Sequence, residues 1–257
     1  MSNDRPVLPI LQVRATEVAP RALVVGDPHR VPDVAAHLDD VRELGRSREY
    51  VTVTGRFRDV PVTVASHGVG AAGAAICFEE LARAEVTHMI RAGTCGGLQP
   101  GIEAGDLVVG TGAIRDDGLT DRLLPAEWPA VADPALTLEL QRTAAITGRE
   151  VHVGVVHTAA NFYPDPHTNE QRWARFSRAG AVAIEMEYAA LLIVAHLHGI
   201  AAGGIFTADG NLLTAEQDMS DYAPGRTAVA AGKAAMLHAA LDALVADTNG
   251  GWPADAD

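Results

Sequence analysis

The chain alternates between short apolar runs and longer stretches in which apolar residues recur every three to four positions. The short runs predict β-strands over residues 21–25, 50–54, 61–66, 87–92, 106–114, 151–156, 182–184 and 200–208. The longer stretches predict helices over residues 71–84, 134–147, 187–198 and 224–246. Strands that alternate with helices predict an α/β fold in which helices cover a mainly parallel or mixed sheet.

Glycine and proline interrupt this pattern where we expect the chain to turn. We predict a hairpin turn near Gly55 and a glycine-rich turn over residues 93–97. The pair Asp209-Gly210 follows the last apolar strand and is typical of a turn, although an acid at the carboxyl end of a strand also suits a ligand site.

The bulk properties narrow the class of protein. With 257 residues, 48% of them apolar, and with no linker in view, we predict a single domain over residues 1–257, with an N-terminal extension (1–20) and a loose tail (247–257). The formal charge of -13 argues against binding nucleic acid. We expect no signal peptide and no stretch of membrane-span length, and therefore a cytoplasmic protein. Cys77 and Cys95 have neither disulfide nor metal spacing.

Two segments combine glycine with arginine in a way that suits an anion. Gly26 ends the first predicted strand, and Arg30 follows four residues later. Arg91 ends a buried strand just before Gly93 and Thr94, where backbone amides of a turn would form an anion-binding nest. A buried arginine needs an anionic partner, which is either a bound anion or an internal carboxylate.

A third glycine segment, residues 68–73, has the G-x-G-x-x-G spacing of a dinucleotide fingerprint. The acids that follow it, Glu79 and Glu80, fall within a predicted helix and not at the end of a second strand. We therefore expect no dinucleotide cofactor, and small residues here suit strand–helix packing.

Carboxylates stand at two further strand ends. Glu185 and Glu187 flank Met186 where a short strand meets an apolar helix, a place that the helix dipole makes favourable for negative charge. The same pair would accept hydrogen bonds from a vicinal diol such as that of ribose. Asp209 would be able to protonate a leaving group.

Taken together, the segments resemble the nucleoside phosphorylase family that includes bacterial purine nucleoside phosphorylase and uridine phosphorylase. The resemblance covers about residues 21–246 and rests on five motifs in order, which begin at Gly26, Ser47, Arg91, Asn161 and Glu185. It implies a single α/β domain with a mixed, partly barrel-like sheet surrounded by helices. It also implies a homo-oligomer, commonly a hexamer built from dimers, and phosphate as co-substrate with no cofactor or metal.

The resemblance also implies roles for individual residues. Phosphate would bind Gly26, Arg30, Arg91, Thr94 and a neighbouring subunit's copy of Arg48. Ribose would bind Met186 and Glu187, and the base would contact Phe162, Tyr163 and Glu185. Asp209 would donate a proton to the departing base, and for this it must carry or share a proton in the complex.

The choice of base follows from three positions. Uridine enzymes of the family use a glutamine and an arginine just after the Phe-Tyr-Pro segment, and here Pro166 and Thr168 stand near those places. Asp209 matches the acid of the purine enzymes, so we expect a purine nucleoside. The arginine that usually accompanies this acid would be Arg226, at a longer spacing.

Other readings stay open. Leu8, Pro9 and Ile10 stand where the family tends to have a histidine for the ribose 5′-hydroxyl. We therefore expect either weaker selection at that position or acceptance of a less polar 5′ group. A uridine or other pyrimidine nucleoside phosphorylase is the nearest alternative. A nucleosidase uses water in place of phosphate and would not need the positive charge of three arginines. A non-catalytic nucleoside-binding protein would not need Asp209 and Glu187. The sequence leaves open whether the pathway is salvage or a specialised one.

Overall fold

Our computed structural model describes residues 7–163, 169–214 and 227–246. Within these ranges there are ten strands: β1 (Arg21–Val25), β2 (Asp39–Ser47), β3 (Tyr50–Phe57), β4 (Val60–Ser66), β5 (His88–Gly97), β6 (Leu107–Asp116), β7 (Ala130–Val131), β8 (Val151–Ala159), β9 (Ala183–Glu185) and β10 (Ala201–Asn211). The same ranges contain six α-helices: α1 (Arg30–Ala35), α2 (Ala71–Arg83), α3 (Pro134–Ala145), α4 (Asn169–Arg178), α5 (Tyr188–His198) and α6 (Thr227–Val245).

All of these strands belong to one mixed sheet, part of which closes on itself. Five strands form the closed part, in the order β10, β6, β8, β9 and β5, because β5 also pairs with β10. From β5 the sheet continues as an open wing through β1, β4, β3 and β2. The predicted α/β class and the partly barrel-like mixed sheet are confirmed.

The directions of the strands place one set of strand ends together. β4, β1, β5 and β10 are mutually parallel, since each is paired in parallel with its neighbour in that series. In an open α/β sheet, ligands bind beyond the carboxyl ends of the strands. Predicted glycine, arginine and carboxylate motifs lie at this edge of the sheet. They occupy the last positions of these strands or follow them directly.

Apolar side chains pack against the sheet in two clusters. One lies between the sheet and α2 and α5, and the other holds α1, α3 and α6 against the sheet. Residues 7–20 were expected to be an extension, yet Leu8 and Leu11 are buried in the first of these clusters. The carboxylate of Glu80, on α2, accepts hydrogen bonds from the backbone N–H groups of Ile10 and Leu11, each at 2.8 Å. The segment is therefore part of the core.

Helix α6 corrects the expectation that no stretch reaches membrane-span length. It has 19 residues and is apolar enough to cross a membrane by length and composition alone. In the fold it packs on β10, β5 and α3, and Met236, Leu237 and Leu241 are buried there. Its apolar character therefore reflects a core helix.

The predicted hairpin is present, but its turn is not at Gly55, because β3 continues through this residue and pairs with β4 as far as Phe57. The chain turns three residues beyond Gly55, at Arg58 and Asp59, whose φ angles are 48° and 65°. Both angles lie in the left-handed region, as in the tight turns that join antiparallel strands. Gly55 is instead a point of close approach, since a Cβ there would lie 2.8 Å from the carbonyl oxygen of Asp39.

The glycine-rich turn over residues 93–97 is also wrong, because β5 runs on to Gly97 and pairs with β10 throughout. The glycines leave space for neighbouring side chains and do not form a turn. A Cβ on Gly96 would lie 2.2 Å from Leu212, and one on Gly97 would lie 2.8 Å from Ile102. The segment is therefore extended strand, and the predicted nest of a turn is absent from the described chain.

Asp209 and Gly210 lie inside β10 and do not form the expected turn. The pairing of β10 with β5 shifts between Ala208, opposite Cys95, and Gly210, opposite Gly96. Asp209 is therefore the extra residue of a β-bulge. Bulges turn side chains to new directions and occur often beside active sites.

Candidate active site

A cavity of about 830 Å³ opens at the carboxyl ends of β1, β5 and β10. It brings together ten of the eleven residues that the sequence proposed for the site: Gly26, Arg30, Arg91, Thr94, Phe162, Tyr163, Glu185, Met186, Glu187 and Asp209. Among the predicted site residues, all of which are described, Arg48 alone does not line it. The segments lie far apart along the chain, so the closure of the sheet assembles the site.

Arg91 is the buried cation of this cavity, with 3% of its surface exposed. Its Nε donates to Glu185 at 3.1 Å, and one terminal nitrogen, Nη2, donates to Glu187. The other terminal nitrogen, Nη1, lies 2.9 Å from Nε2 of His67. The sequence left open whether its partner is an anion or an internal carboxylate, and in this structure two carboxylates pair with it.

Packing fixes the plane of the Arg91 guanidinium. A Cβ on Gly93 would lie about 3 Å from three of its atoms, with Nη2 nearest at 2.9 Å. The ring of Phe206 lies 5.6 Å from Cζ, which suits a cation–π contact. Burial disfavours the charge of Arg91, but the charges of Glu187 and Glu185 outweigh it, so its pKa is raised. The group is therefore a rigid and permanent cation.

Glu187 precedes the first residue of α5 and is buried beside Arg91. One carboxylate oxygen accepts the backbone N–H of Gly70 and the other accepts Nη2 of Arg91. Burial raises the pKa of Glu187; Arg91 opposes this shift, and the charge of Glu185 adds to it. Gly70 belongs to the segment with dinucleotide-like spacing, and here its N–H serves a carboxylate of the cavity.

Glu185 is the most fully hydrogen-bonded group of the site. Its carboxylate accepts the hydroxyl of Thr158 at 2.7 Å and the backbone N–H groups of Glu187 and Tyr188 at 2.8–3.0 Å, besides Nε of Arg91. These contacts fix the start of α5 and the direction of the Arg91 side chain. A contact between Glu185 and a base stays a prediction.

Asp209 lies on the cavity wall opposite the Cys95–Gly96 part of β5. Burial and the negative charge of Asp209 raise the pKa of the Cys95 thiol well above its usual value, so this cysteine stays protonated. On α6, burial lowers the pKa of Lys233 and the charge of Arg30 adds to that effect, while Asp209 opposes it. Lys233 therefore lies close to Arg30 and Asp209 at this end of the site, although it was not among the predicted site residues.

The loop after β1 forms the floor of the cavity near Arg91. Asp27 accepts the backbone N–H of His29 at 2.9 Å, and α1 begins at Arg30. The carbonyl of Gly26 accepts the N–H of Gly68 at 3.0 Å, which ties this loop to the loop after β4. A Cβ on Gly26 would lie 4.0 Å from Nη1 of Arg91, so Gly26 and Arg91 are neighbours.

Two aromatic rings stand at the mouth of the cavity, just after β8. Phe162 is 42% exposed and Tyr163 is 78% exposed, and their ring centroids are 5.2 Å apart in an edge-on arrangement. Exposed rings at a cavity mouth provide a flat apolar surface for a planar ligand. Ile184 and Leu212, which sequence analysis did not include, add further apolar wall.

Arg48 occupies the turn between β2 and β3, and its φ of 54° lies in the left-handed region, as in a tight turn that reverses the chain. Its side chain is exposed and lies outside the cavity of its own chain. The next residue, Glu49, lines the cavity and packs against Gly68. Burial raises the pKa of Tyr50 to about 12, and Glu49 adds to that shift.

His67 is a further residue of the site that the sequence did not identify as functional. It follows β4 directly, is fully buried, and contacts Arg91. No local pattern predicts this contact, because the two residues are brought together by β1, which lies between β4 and β5.

The arrangement separates three kinds of chemistry within one cavity. Arg30 and Arg91 supply positive charge for an anion, and Glu187 supplies a hydrogen-bond acceptor beside them. Asp209 lies at another wall, while the aromatic rings stand at the mouth. Pro166, Thr168 and Arg226, which the choice of base invoked, lie outside the described residues.

Comparisons with known proteins agree with this geometry. Residues 20–246 match the family model described as the phosphorylase superfamily. The chain is 38% identical over 213 residues to guanosine phosphorylase of Halorubrum lacusprofundi, which covers 83% of this chain and 87% of that protein. It is 36% identical over 210 residues to uridine phosphorylase of Thermococcus kodakarensis, covering 78% and 76% respectively.

A solved structure shows the same fold. Purine nucleoside phosphorylase of Toxoplasma gondii in complex with immucillin-H superimposes with a TM-score of 0.87 at 33% identity, covering 95% of this chain and 97% of that one. The relatives are thus divided between purine and uridine enzymes at similar identity.

Proposed function

The chain belongs to the phosphorylase superfamily and is a nucleoside phosphorylase, and on that premise we propose that its substrate is a purine nucleoside. The products would be the free base and ribose 1-phosphate. The observation that carries the choice of a purine is Asp209, whose carboxylate lines the cavity from the bulge of β10. An acid at this wall is able to protonate a purine at N7 as the base departs.

In the proposed mechanism, phosphate binds against Gly26, Arg30, Arg91 and Thr94. Holding a phosphate oxygen below C1′ of the ribose supplies much of the rate, since the nucleophile no longer has to be brought from solution. The bond between C1′ and N9 breaks with its electron pair passing to the base. A new bond forms between C1′ and the phosphate oxygen, and the proton of Asp209 passes to N7.

The remaining cavity groups orient the two halves of the nucleoside. Glu187 accepts hydrogen bonds from the ribose hydroxyls, with Met186 beside it. Phe162 and Tyr163 cover the base, and Glu185, which also lines the cavity, contacts it. The positive charge that develops on the ribose is stabilised by the bound phosphate.

The assembly is proposed to be a homo-oligomer built from dimers, hexameric in its complete form, in the cytoplasm. The exposure of Arg48 and its position outside its own cavity support a role in a neighbouring copy's phosphate site. An Arg48→Ala variant would then raise the KM for phosphate while sedimentation still shows an oligomer. An unchanged KM for phosphate would remove Arg48 from the site.

The experiment that tests the substrate is a comparison of inosine, guanosine, adenosine and uridine, each with and without phosphate. The proposal expects base release that depends on phosphate and a higher kcat/KM for a purine nucleoside than for uridine. The uridine phosphorylases among the relatives make the reverse order the main alternative. Release without phosphate would indicate a nucleosidase.

A further inference from the structure

His67 stands at the junction of the two loops that form the phosphate end of the cavity. Its backbone N–H donates to the carbonyl of Val25 at 2.9 Å, so its position is tied to the end of β1. The ring packs edge-on against Phe78, with centroids 5.3 Å apart. Its Cε1 atom would lie 3.7 Å from a Cβ on Gly26.

The hydrogen bonds of the ring fix which nitrogen carries the proton. Nδ1 lies 2.9 Å from the carbonyl oxygen of Gly68, which only accepts, so Nδ1 must be the donor. Nε2 lies 2.9 Å from Nη1 of Arg91, which only donates, so Nε2 must be the acceptor. A protonated ring would offer Arg91 a donor in place of an acceptor.

Because the His67 imidazole is neutral, it adds no negative charge to the surroundings of Arg91. Glu185 and Glu187 already place two negative charges on Arg91. A third carboxylate would hold the guanidinium equally well but would repel an incoming phosphate. The imidazole holds the guanidinium without adding charge, and burial together with Arg91 keeps the pKa of His67 well below its usual value.

The contacts of Arg91 also leave room for an anion. Among the described residues, His67, Glu185 and Glu187 take three of its five N–H groups. The other two are one on each terminal nitrogen. Since Arg91 lines the cavity, these are the groups that a bound phosphate would reach.

We propose that His67 is a positioning residue for phosphate, whose neutral imidazole accepts a hydrogen bond from Arg91 and holds the guanidinium in the orientation that binds the anion. The proposal rests on the phosphate site assigned to Arg91 above. It assigns no contact between His67 and the reacting atoms.

The test is steady-state kinetics of four proteins: the wild type, His67→Leu, His67→Gln and Arg91→Gln. Leucine fills the volume of the ring without an acceptor, so His67→Leu should raise the KM for phosphate about tenfold, as expected for a buried donor left without its partner. The KM for the nucleoside should change less than about threefold. Glutamine carries an acceptor at similar reach, so His67→Gln should restore most of the phosphate affinity.

The outcomes separate this proposal from the one on which it rests. If Arg91→Gln leaves the KM for phosphate unchanged, the phosphate site itself is misassigned, and the role of His67 is overturned with it. If Arg91→Gln raises that KM but His67→Leu does not, only the role of His67 is overturned. Equal defects in His67→Leu and His67→Gln would also contradict a role as acceptor. Should His67→Leu fail to fold, His67→Asn replaces it, because asparagine is too short to reach Arg91.

Discussion

Arg91 and Glu187 form a buried ion pair in which Nη2 of the guanidinium donates to a carboxylate oxygen. The group proposed to bind phosphate therefore contacts the group proposed to bind ribose. Glu185 completes the arrangement from the Nε side of Arg91. The phosphate and ribose parts of the cavity thus share one electrostatic unit, and changes to its members should have separable effects.

Glu187→Gln should impair nucleoside binding and not phosphate binding. The amide keeps the size of the side chain but loses the negative charge that strengthens hydrogen bonds to ribose hydroxyls. We expect kcat/KM for the nucleoside to fall about 10- to 100-fold, in line with the value of a charged hydrogen bond. The KM for phosphate should not rise, because Arg91 loses a competing anion. Steady-state kinetics with each substrate varied in turn measures both.

Glu185→Gln should lower stability more than Glu187→Gln does, because Glu185 accepts hydrogen bonds from four donor groups and Glu187 from two. All the known partners of this carboxylate are donors, so the NH₂ group of glutamine would face other donors. Breaking one side of such a buried network should destabilise the protein by about 3 kcal/mol. Chemical denaturation measures this, with Glu79→Gln as the control, since Glu79 pairs with His198 at the surface. A Glu185→Gln variant as stable as the control would show that the network is dispensable.

Gly93→Ala should displace the guanidinium of Arg91 while leaving the fold intact. The added Cβ would lie 2.9 Å from Nη2 and 3.1 Å from Nη1, closer than such atoms approach. A shift of the phosphate-binding group by about 1 Å should lower kcat/KM about 100-fold. Kinetics and circular dichroism together measure activity and fold.

The matched control is Gly73→Ala in α2, a glycine near the same cavity. There the nearest atoms to the added Cβ lie at 3.6–3.7 Å, an ordinary contact distance. Activity should be retained and stability should rise by about 0.5–1 kcal/mol, as for alanine in a helix. If Gly93→Ala retained activity as Gly73→Ala does, a fixed position of Arg91 would not be required.

The free energy of unfolding should decrease as the pH is lowered below about 6.5, in part because of His67. Burial, Arg91 and Arg30 hold the pKa of His67 well below 6.5 in the folded protein, so the unfolded chain takes up a proton that the folded chain excludes. The contribution of His67 to the free energy of unfolding is fully present above about pH 6.5. It is lost as the pH falls toward the pKa of His67 in the folded protein, at up to about 1.4 kcal/mol per pH unit.

Urea unfolding of the wild type and His67→Gln at pH 7.5, 6.5 and 5.5 measures this contribution. The wild type should lose stability faster than the variant between pH 6.5 and 5.5. His88 and His157, whose pKa values burial also lowers, are present in both proteins and cancel in the comparison. Parallel pH profiles would contradict a neutral His67.

Local sequence signals were sufficient to predict most helices and strands of the core. Strand β1 has the predicted bounds, and α5 starts one residue later than predicted and ends at His198 as predicted, where Gly199, with a φ of 65°, closes the helix. Strand β2 was missed, because an exposed edge strand with many charged residues has no apolar run. Helix α1 was missed because six residues are too few to show helical spacing.

The site was predictable as a set of residues but not as a network. The motifs identified the lining of the cavity, yet the partners of Arg91 are 94 and 96 residues further along the chain. Only the antiparallel pairing of β9 with β5 brings them together. The bulge at Asp209 and the contact of His67 with Arg91 likewise depend on neighbouring strands, which no local pattern records.

The most direct test of the central claim is the effect of Asp209→Asn on two substrates, inosine and 7-methylinosine. The methylated base already carries positive charge on its imidazole ring and needs no proton at N7 to depart. If Asp209 is the acid, the variant should lower kcat/KM for inosine by about 100-fold or more, the value of a general acid, and that for 7-methylinosine by less than about tenfold. Equal losses for the two substrates, or a variant that cleaves inosine as well as the wild type does, would contradict the account.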